Sequence, residues 1–590
     1  MRTFAFLQPL LLSLLLGSAS GAAIRALDGS GRPVAWWAVL KLPAHVRGPA
    51  TDPPHAVPTP CDCPVPDCRH VPTDGWAALK ERATGLCYLY ADARDPTFRY
   101  FRDIGYECLG QGGADPVSRT LQQRDAASRP YWALFNDQFN GIAAAFAAAE
   151  ADDGAESHVC GGADAFNAHA KGAVVFARDA SGGVFLQTST PNFPDPTRND
   201  SFVPLGCQRD NNVAFAQHVA AFSLDDRELT TLGEHLQLAR LCSGNVFRNK
   251  SLHALLGSAT LNEDGVAHAN TSAAAFYGAL LDPHLPERES MKAAFRLKLA
   301  RGTDDDDERP ETVRRGFEPL AEDQTLMGLV DDDDDRADRE AGDEDEEVLV
   351  LVKSPRAVVP PWALVAELLD SDISVASWWD GSYGIPTICG GDVFAHSPHS
   401  FCLDDPPAGV ALDADGSAPY NIENLMQATW HLSDGSANLT WQLVGGRVPD
   451  GNHAKWGLTT PRSGIVNASN AYVTFGDLNM EGFPCSRTCS GSQAGRGGSF
   501  FSLMRPRLHA SLARSIVSGA CPCTSSSAAV TAVHQDANAM PDGFLRNDSS
   551  FLLYETLRMC HRGCVKKLEA HLEATELPAL SATASSFWLK

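Results

Sequence analysis

Two short stretches of this 590-residue chain set a histidine and a lysine two positions apart. The first is "NAHAKGAVVFA", with His169 and Lys171; the second is "GNHAKWGLTT", with His453 and Lys455. On a strand, residues i and i+2 share a face, so each pair is expected to project together. An imidazole beside an ammonium is a poor metal site, because the fixed positive charge repels a cation. The same pair suits a phosphate: lysine supplies charge, and histidine supplies a nucleophile or an acid. Each motif opens an apolar run that reads strand, turn, strand and closes on an asparagine, Asn192 or Asn479. An amide at that place adds a neutral donor for a phosphoryl oxygen. The plainer reading is two strands that each carry a surface charge.

Two such half-sites facing each other make one complete site. One histidine attacks phosphorus and the other protonates the leaving oxygen; the roles exchange when water cleaves the phosphohistidine. Two lysines and two asparagines already offset the phosphate charge, so the reading calls for no metal and no cofactor. It leaves open which histidine attacks. Asp477 either orients a histidine, lines the phosphate site with Asn479 or caps a turn, and Asp179 in "RDASGG" reads as a hairpin turn.

The elements that must carry these residues alternate between periods of two and 3.6. Residues 34–42, "VAWWAVLKL", read as a buried strand, and "GLCYLYAD" and "YWALFND" as further strands. Residues 139–151 are alanine-rich and read as helix. "RELTTLGEHLQLARL" sets Leu229, Leu232, Leu236 and Leu238 at helical spacing. After an acidic stretch, "VLVLVKS" reads as strand, "PPWALVAELLD" as helix with proline in its first turn, "ISVASWW" as strand and "LHASLARSIVS" as a late helix. Strands alternating with helices in both halves argue for an α/β fold.

Length and composition set the frame. A chain of 590 residues exceeds one ordinary core, so two domains or fused halves are expected. The start, "MRTFAFLQPLLLSLLLGSASGAA", reads as a secretory signal peptide over residues 1–20, and no other apolar run is long enough to span a bilayer. Sixteen cysteines suit an oxidising compartment. In "CDCPVPDCRH", Cys61, Cys63, Cys68 and His70 have spacings that zinc could use, but secretion favours disulfides. Sequons at Asn199, Asn249, Asn270, Asn438, Asn467 and Asn547 are compatible with glycosylation. The net charge of −25 looks hostile to nucleic acid, yet residues 303–347 hold 21 acidic and 5 basic residues. That stretch accounts for −16 and leaves −9 for the rest. It reads as a disordered insertion, either a solvated loop or a tethered mimic of DNA phosphates.

Beyond the two tripeptides, several blocks resemble the deoxyribonuclease II family of acid nucleases, within the phospholipase D superfamily. They are "GRPVAWWAVLKLP", "VSRTLQQ", "WALFNDQ", "HAKGAVVFARDASGGVFLQTSTPNFPDP", "SWWDGSYGIPTIC", "HAKW", "FGDLN" and "GRGGSF". With gaps, they run from Gly31 to Cys523. The resemblance implies one half-site at His169, Lys171 and Asn192 and a second at His453, Lys455 and Asn479, with Asp477 beside it. It implies an α/β fold: a phospholipase D-like pseudo-dimer of two mixed-sheet αβα halves sharing one active site. It implies metal-independent hydrolysis of DNA, bound non-specifically through its phosphate backbone, leaving 3′-phosphate ends in a lysosome-like compartment or outside the cell. No obligate protein partner is implied.

The chain then divides into a signal peptide (1–20), a first half (21–300), the acidic insertion (301–347), a second half (348–523) and a partly helical extension (524–590). Two departures stand out. Many relatives carry a histidine just before the serine of the first block, where this chain has Thr188. The acidic insertion and the extension have no counterpart. Other readings are a phosphodiesterase of the same superfamily acting on RNA, single-stranded ends or lipid headgroups, and an inactive binding homologue. The complete His-Lys-Asn set in both halves counts against the last.

Overall fold

The computed structural model describes, with short gaps, residues 23–47, 56–59, 85–136, 168–193, 215–241, 292–300, 346–378, 420–443, 451–480 and 493–521, with single positions such as 63 and 275. The signal peptide, the alanine-rich stretch, Asp179, the acidic insertion up to residue 345 and the extension lie outside the described residues, and the last residue assigned to the insertion, Glu347, begins a strand.

Two sheets dominate. The first is built from β1 (Trp36–Lys41), β2 (Tyr88–Asp92), β3 (Arg99–Tyr100), β4 (Tyr131–Asn136), β5 (Lys171–Phe176), β6 (Gly183–Thr188) and β7 (Gln217–Leu224), in the order β3-β2-β1-β7-β6-β5-β4. The second contains β8 (Lys292–Lys298), β9 (Glu347–Lys353), β10 (Ile373–Ala376), β11 (Ile422–His431), β12 (Asn438–Gln442), β13 (Trp456–Thr459), β14 (Tyr472–Gly476), β15 (Gly498–Met504) and β16 (Val517–Cys521). Its order is β8-β9-β15-β14-β13-β10-β11-β12, with β16 paired to β11. Five strands therefore recur in one order: β1-β7-β6-β5-β4 in the first sheet matches β9-β15-β14-β13-β10 in the second. All four pairings within each set of five are antiparallel.

Strand alternation explains the layering. In β7, Phe222 and its cross-strand partner Phe185 face the second sheet, where both rings lie against Phe501, at 5.0 and 5.2 Å. Phe475, Trp456 and Val350 share the register of Phe501 and belong to the same buried cluster. The described α-helices include α1 (Pro116–Gln122), α2 (Asp226–Leu236), α3 (Pro361–Leu369) and α4 (Pro506–Ser515), and the opposite face of the second sheet packs on α3. There Trp362 lies over Gly457 and Gly476, where a Cβ would come within 2.9 and 3.3 Å of its ring, and donates to the Leu478 carbonyl. On the outer face of the first sheet, Trp37 donates to Thr120 of α1. The leucines of "RELTTLGEHLQLARL" are buried as their spacing requires, along α2 and the 3₁₀ turn Gln237–Ala239 that follows it. Asp225 caps α2 through Glu228 N–H, and Asp115 caps α1 through Ser118 N–H.

The fold is α/β, but the expected alternation of strand and helix is corrected. Hairpins and meanders prevail, and only β10 and β11 pair in parallel among the described strands. The apolar runs signalled burial on both faces, which parallel crossovers and a sheet sandwiched between layers satisfy equally. Cys63 is bonded to Cys108, so that member of the cysteine cluster sits in a disulfide. Asn438 and Asn467, the two sequons within the described residues, are exposed. No described helix is long and apolar enough to cross a membrane.

Candidate active site between the two sheets

Both His-x-Lys motifs fall where their strand enters the sheet. Lys171 is the first residue of β5, and Lys455 immediately precedes β13. The expectation that each histidine lies on the strand is corrected: His169 and His453 stand just before it. The reason is visible in the backbone. A strand neighbour would take the histidine N–H, but the opposite half takes it instead. His169 N–H donates to Gly497 O at 2.9 Å, and His453 N–H donates to Ala216 O at 2.7 Å. Gly497 precedes β15 as Ala216 precedes β7, so the two bonds occupy matching places.

The imidazoles repeat the exchange. Nδ1 of His169 lies 2.8 Å from Asp477 O, and Nδ1 of His453 lies 2.8 Å from Ser189 O. Asp477 follows β14 as Ser189 follows β6. A carbonyl only accepts, so each Nδ1 carries a proton and the nitrogen left for chemistry on each ring is Nε2. Two reactive nitrogens are thus presented by rings that the opposite half orients.

The lysines stand close to the rings they accompany. Lys171 Nζ is 3.4 Å from His169 Nε2, the long limit of a hydrogen bond. Lys455 Nζ donates to His453 O at 2.8 Å and lies 3.1 Å from Nδ1. Because that Nδ1 already donates to Ser189, the second contact is a charge held against the ring. Burial, then the charges of Lys455 and Lys171, hold His453 well below the ordinary imidazole range. All four motif side chains are buried.

Asp477 is buried. Its Oδ2 accepts from Ser499 N–H at 2.8 Å and Ser499 Oγ at 2.6 Å, while Oδ1 accepts from Gln187 at 3.1 Å. Both carboxylate oxygens thus have protein partners, and the main-chain carbonyl of the same residue is the one that meets His169. Burial raises its pKa to about 6 against these hydrogen bonds and the charge of Lys171. Asn479 is buried beside it, with its N–H on Gln493 Oε1 at 2.7 Å. Its Oδ1 has no partner among the described residues, which leaves an acceptor open there. Asn192 lies outside the described residues. Its neighbours are held by Asn136, whose amide donates to Phe193 O at 3.0 Å and Thr190 O at 3.4 Å.

Sequence reasoning missed three contributors. His218, in β7, accepts the Lys455 N–H on its Nδ1 at 3.0 Å, and its ring lies 5.7 Å from that of Phe475. Its Nδ1 is therefore unprotonated, and its Nε2–H is buried without a partner among the described residues. Burial, with Lys455 and Lys171, keeps this imidazole neutral, well below its ordinary pKa. The signal was a lone histidine inside the apolar strand "QHVAAFSL". Gln187 and Ser499 left a similar trace, polar residues at inward positions of strands. Among the described residues, no group of three or more His, Cys, Asp or Glu is placed to hold a metal ion.

The fold and site define a class: an α/β protein in which two equivalent strand entries place a His-Lys pair on either side of one interface. A comparison with protein families sharpens it. The model of the family described as Deoxyribonuclease II matches residues 72–263, a stretch that contains His169, Lys171 and Asn192. The first half of the chain is similar to that family, and a nuclease hydrolase is the class the match supports. A comparison with curated proteins finds no match.

Proposed function

We propose that the protein is an acid endodeoxyribonuclease, with a phospholipase D-like arrangement in which two halves complete one active site. The observation that carries this reading is reciprocal orientation: each histidine is fixed at both its main-chain N–H and its Nδ1 by the opposite half, leaving two Nε2 atoms for in-line chemistry. One Nε2 attacks phosphorus; the P–O5′ bond breaks, and the other histidine, protonated, gives its proton to the leaving 5′-oxygen. Water then attacks the phosphohistidine. It loses a proton to the second histidine, the P–N bond breaks, and a 3′-phosphate end is released. Lys171 and Lys455 offset charge on the phosphoryl oxygens, and the Asn479 amide, with Asn192 as its counterpart, supplies neutral donors. The similarity over residues 72–263 points to DNA as the substrate, bound through its phosphates.

The mechanism requires a neutral base and a protonated acid together, so the rate is bell-shaped in pH. The test is incubation of the purified protein with plasmid DNA across pH 4–8 in the presence of chelator. Cleavage with an acidic optimum and 3′-phosphate ends is expected. Products with 5′-phosphate and 3′-hydroxyl ends, or activity that chelator abolishes, contradict the reading.

A further inference from the structure

Two buried lysines outside the His-x-Lys motifs repeat each other in sequence and in space. "VLKLP" carries Lys41 and "LVKSP" carries Lys353: two apolar residues, lysine, one residue, proline. Lys41 ends β1 and pairs with Gln217, the first residue of β7; Lys353 ends β9 and pairs with Gly498, the first residue of β15. Both are buried, at 1% and 0% exposure.

Their ammonium groups make the same bonds. Lys41 Nζ donates to Phe215 O at 2.6 Å and to Leu42 O at 3.1 Å. Lys353 Nζ donates to Arg496 O at 2.8 Å and to Ser354 O at 3.2 Å. Phe215 and Arg496 each lie two residues before their strand begins. One residue further on, Ala216 O receives the His453 N–H and Gly497 O receives the His169 N–H. The consecutive carbonyls at each strand entry therefore take a buried lysine and then the opposite half's histidine.

We propose that Lys41 and Lys353 are a matched pair of positioning residues, each fixing the strand entry that holds the histidine of the opposite half. Lys41 sets His453, and Lys353 sets His169. A buried lysine is costly, and a methionine would fill the same space without that cost. Charge-assisted bonds to main-chain carbonyls supply what methionine lacks: a fixed direction for the peptide plane that follows. Burial lowers both lysines to about 7, as the shared geometry requires.

The inference concerns geometry, and it rests on the nuclease reading only where turnover is measured. The test uses the full chain labelled with ¹⁵N-histidine, with ring signals assigned through His169→Gln and His453→Gln. Lys353→Met is expected to shift the His169 ring signals and leave those of His453; Lys41→Met is expected to do the reverse. On DNA, each variant should lose about 10- to 100-fold in kcat with KM within about twofold, since a misplaced reacting group costs turnover more than binding. Lys41→Gln and Lys353→Gln keep an N–H donor and should restore part of kcat and of the ring signals. Folded methionine variants with both histidines unmoved overturn the proposal. So do ring shifts confined to the histidine of the lysine's own half, or a loss of fold shared by the methionine and glutamine variants. If the protein cleaves no DNA, the nuclease reading fails while the crossed pattern of ring signals still decides this one.

Discussion

The two sides of the site share a frame and differ in lining. Thr188 and Gly476 end matching strands; Ser189 then stands where Asp477 stands, and His218 where Ser499 stands. Even the small bonds correspond: His218 N–H donates to Ser189 Oγ at 2.9 Å, and Ser499 N–H to Asp477 Oδ2 at 2.8 Å. Main-chain geometry, histidines and lysines are duplicated, whereas the groups behind them have diverged. The second half backs the interface with a carboxyl raised to about 6; the first backs it with an imidazole kept neutral. The proposed in-line displacement needs a group on each side of phosphorus, which the duplicated frame would supply. It also needs the two groups to differ in protonation, and the unlike linings are where such a difference would arise.

The largest effect should come from breaking the frame at its centre. His169→Ala and His453→Ala are each expected to lower DNA cleavage by about 10²- to 10⁴-fold, with the double variant little worse than either, because the two act as one unit. Additive losses in plasmid-nicking rates would show two separate sites instead.

The frame is also asymmetric in its tolerance of bulk. Ala216 carries a Cβ at a position where Gly497 has none, and a Cβ on Gly497 would collide with the Ala239 carbonyl oxygen. Gly497→Ala should therefore cost about 1–3 kcal/mol by overpacking and displace the carbonyl that holds His169. Chemical denaturation and turnover of this variant check both effects; an unchanged midpoint would mean the halves approach less closely at Gly497.

The lining should declare itself in the pH dependence of stability. The folded pKa of His218 lies below its unfolded value, so the native state binds fewer protons, and stability is lost as pH falls below about 6.5. Asp477 runs the other way. Its folded pKa of about 6 exceeds the ordinary 3.8, so its contribution is largest in acid and is lost as pH rises through that window. Thermal unfolding of His218→Gln should fall less than wild type between pH 7 and 5, by up to about 1.4 kcal/mol per pH unit. Asp477→Asn should instead lose the acid-side gain. Parallel shifts of both variants at every pH would remove the titration argument.

Much of this was legible in the sequence. Continuous apolar runs gave "VAWWAVLKL" and "VLVLVKS" as strands, leucine spacing gave α2, and the tripeptides led to His169 and His453. What stayed hidden has a common cause. The contacts that orient the histidines end on the carbonyls of Ala216, Gly497, Ser189 and Asp477. Carbonyls are the same in every residue, so no side-chain pattern marks them. The paired "VLKLP" and "LVKSP" were written in the sequence, but buried lysine reads as exposed until the fold places it. Hairpins and crossovers likewise share an apolar signature, which is why the strand order needed the structure.

The central claim, that two halves present one site with a nucleophile and an acid on opposite sides, is tested most directly by trapping the intermediate. DNA carrying ³²P at a single internal phosphodiester would be mixed with the protein at acidic pH and quenched in alkaline detergent, which preserves phosphohistidine. Peptide mapping should place the label on the segment containing His169 or the segment containing His453, never both, with replacement of the labelled histidine by alanine abolishing it. Cleavage at the wild-type rate with no labelled peptide, or label that survives both histidine substitutions, would contradict the account.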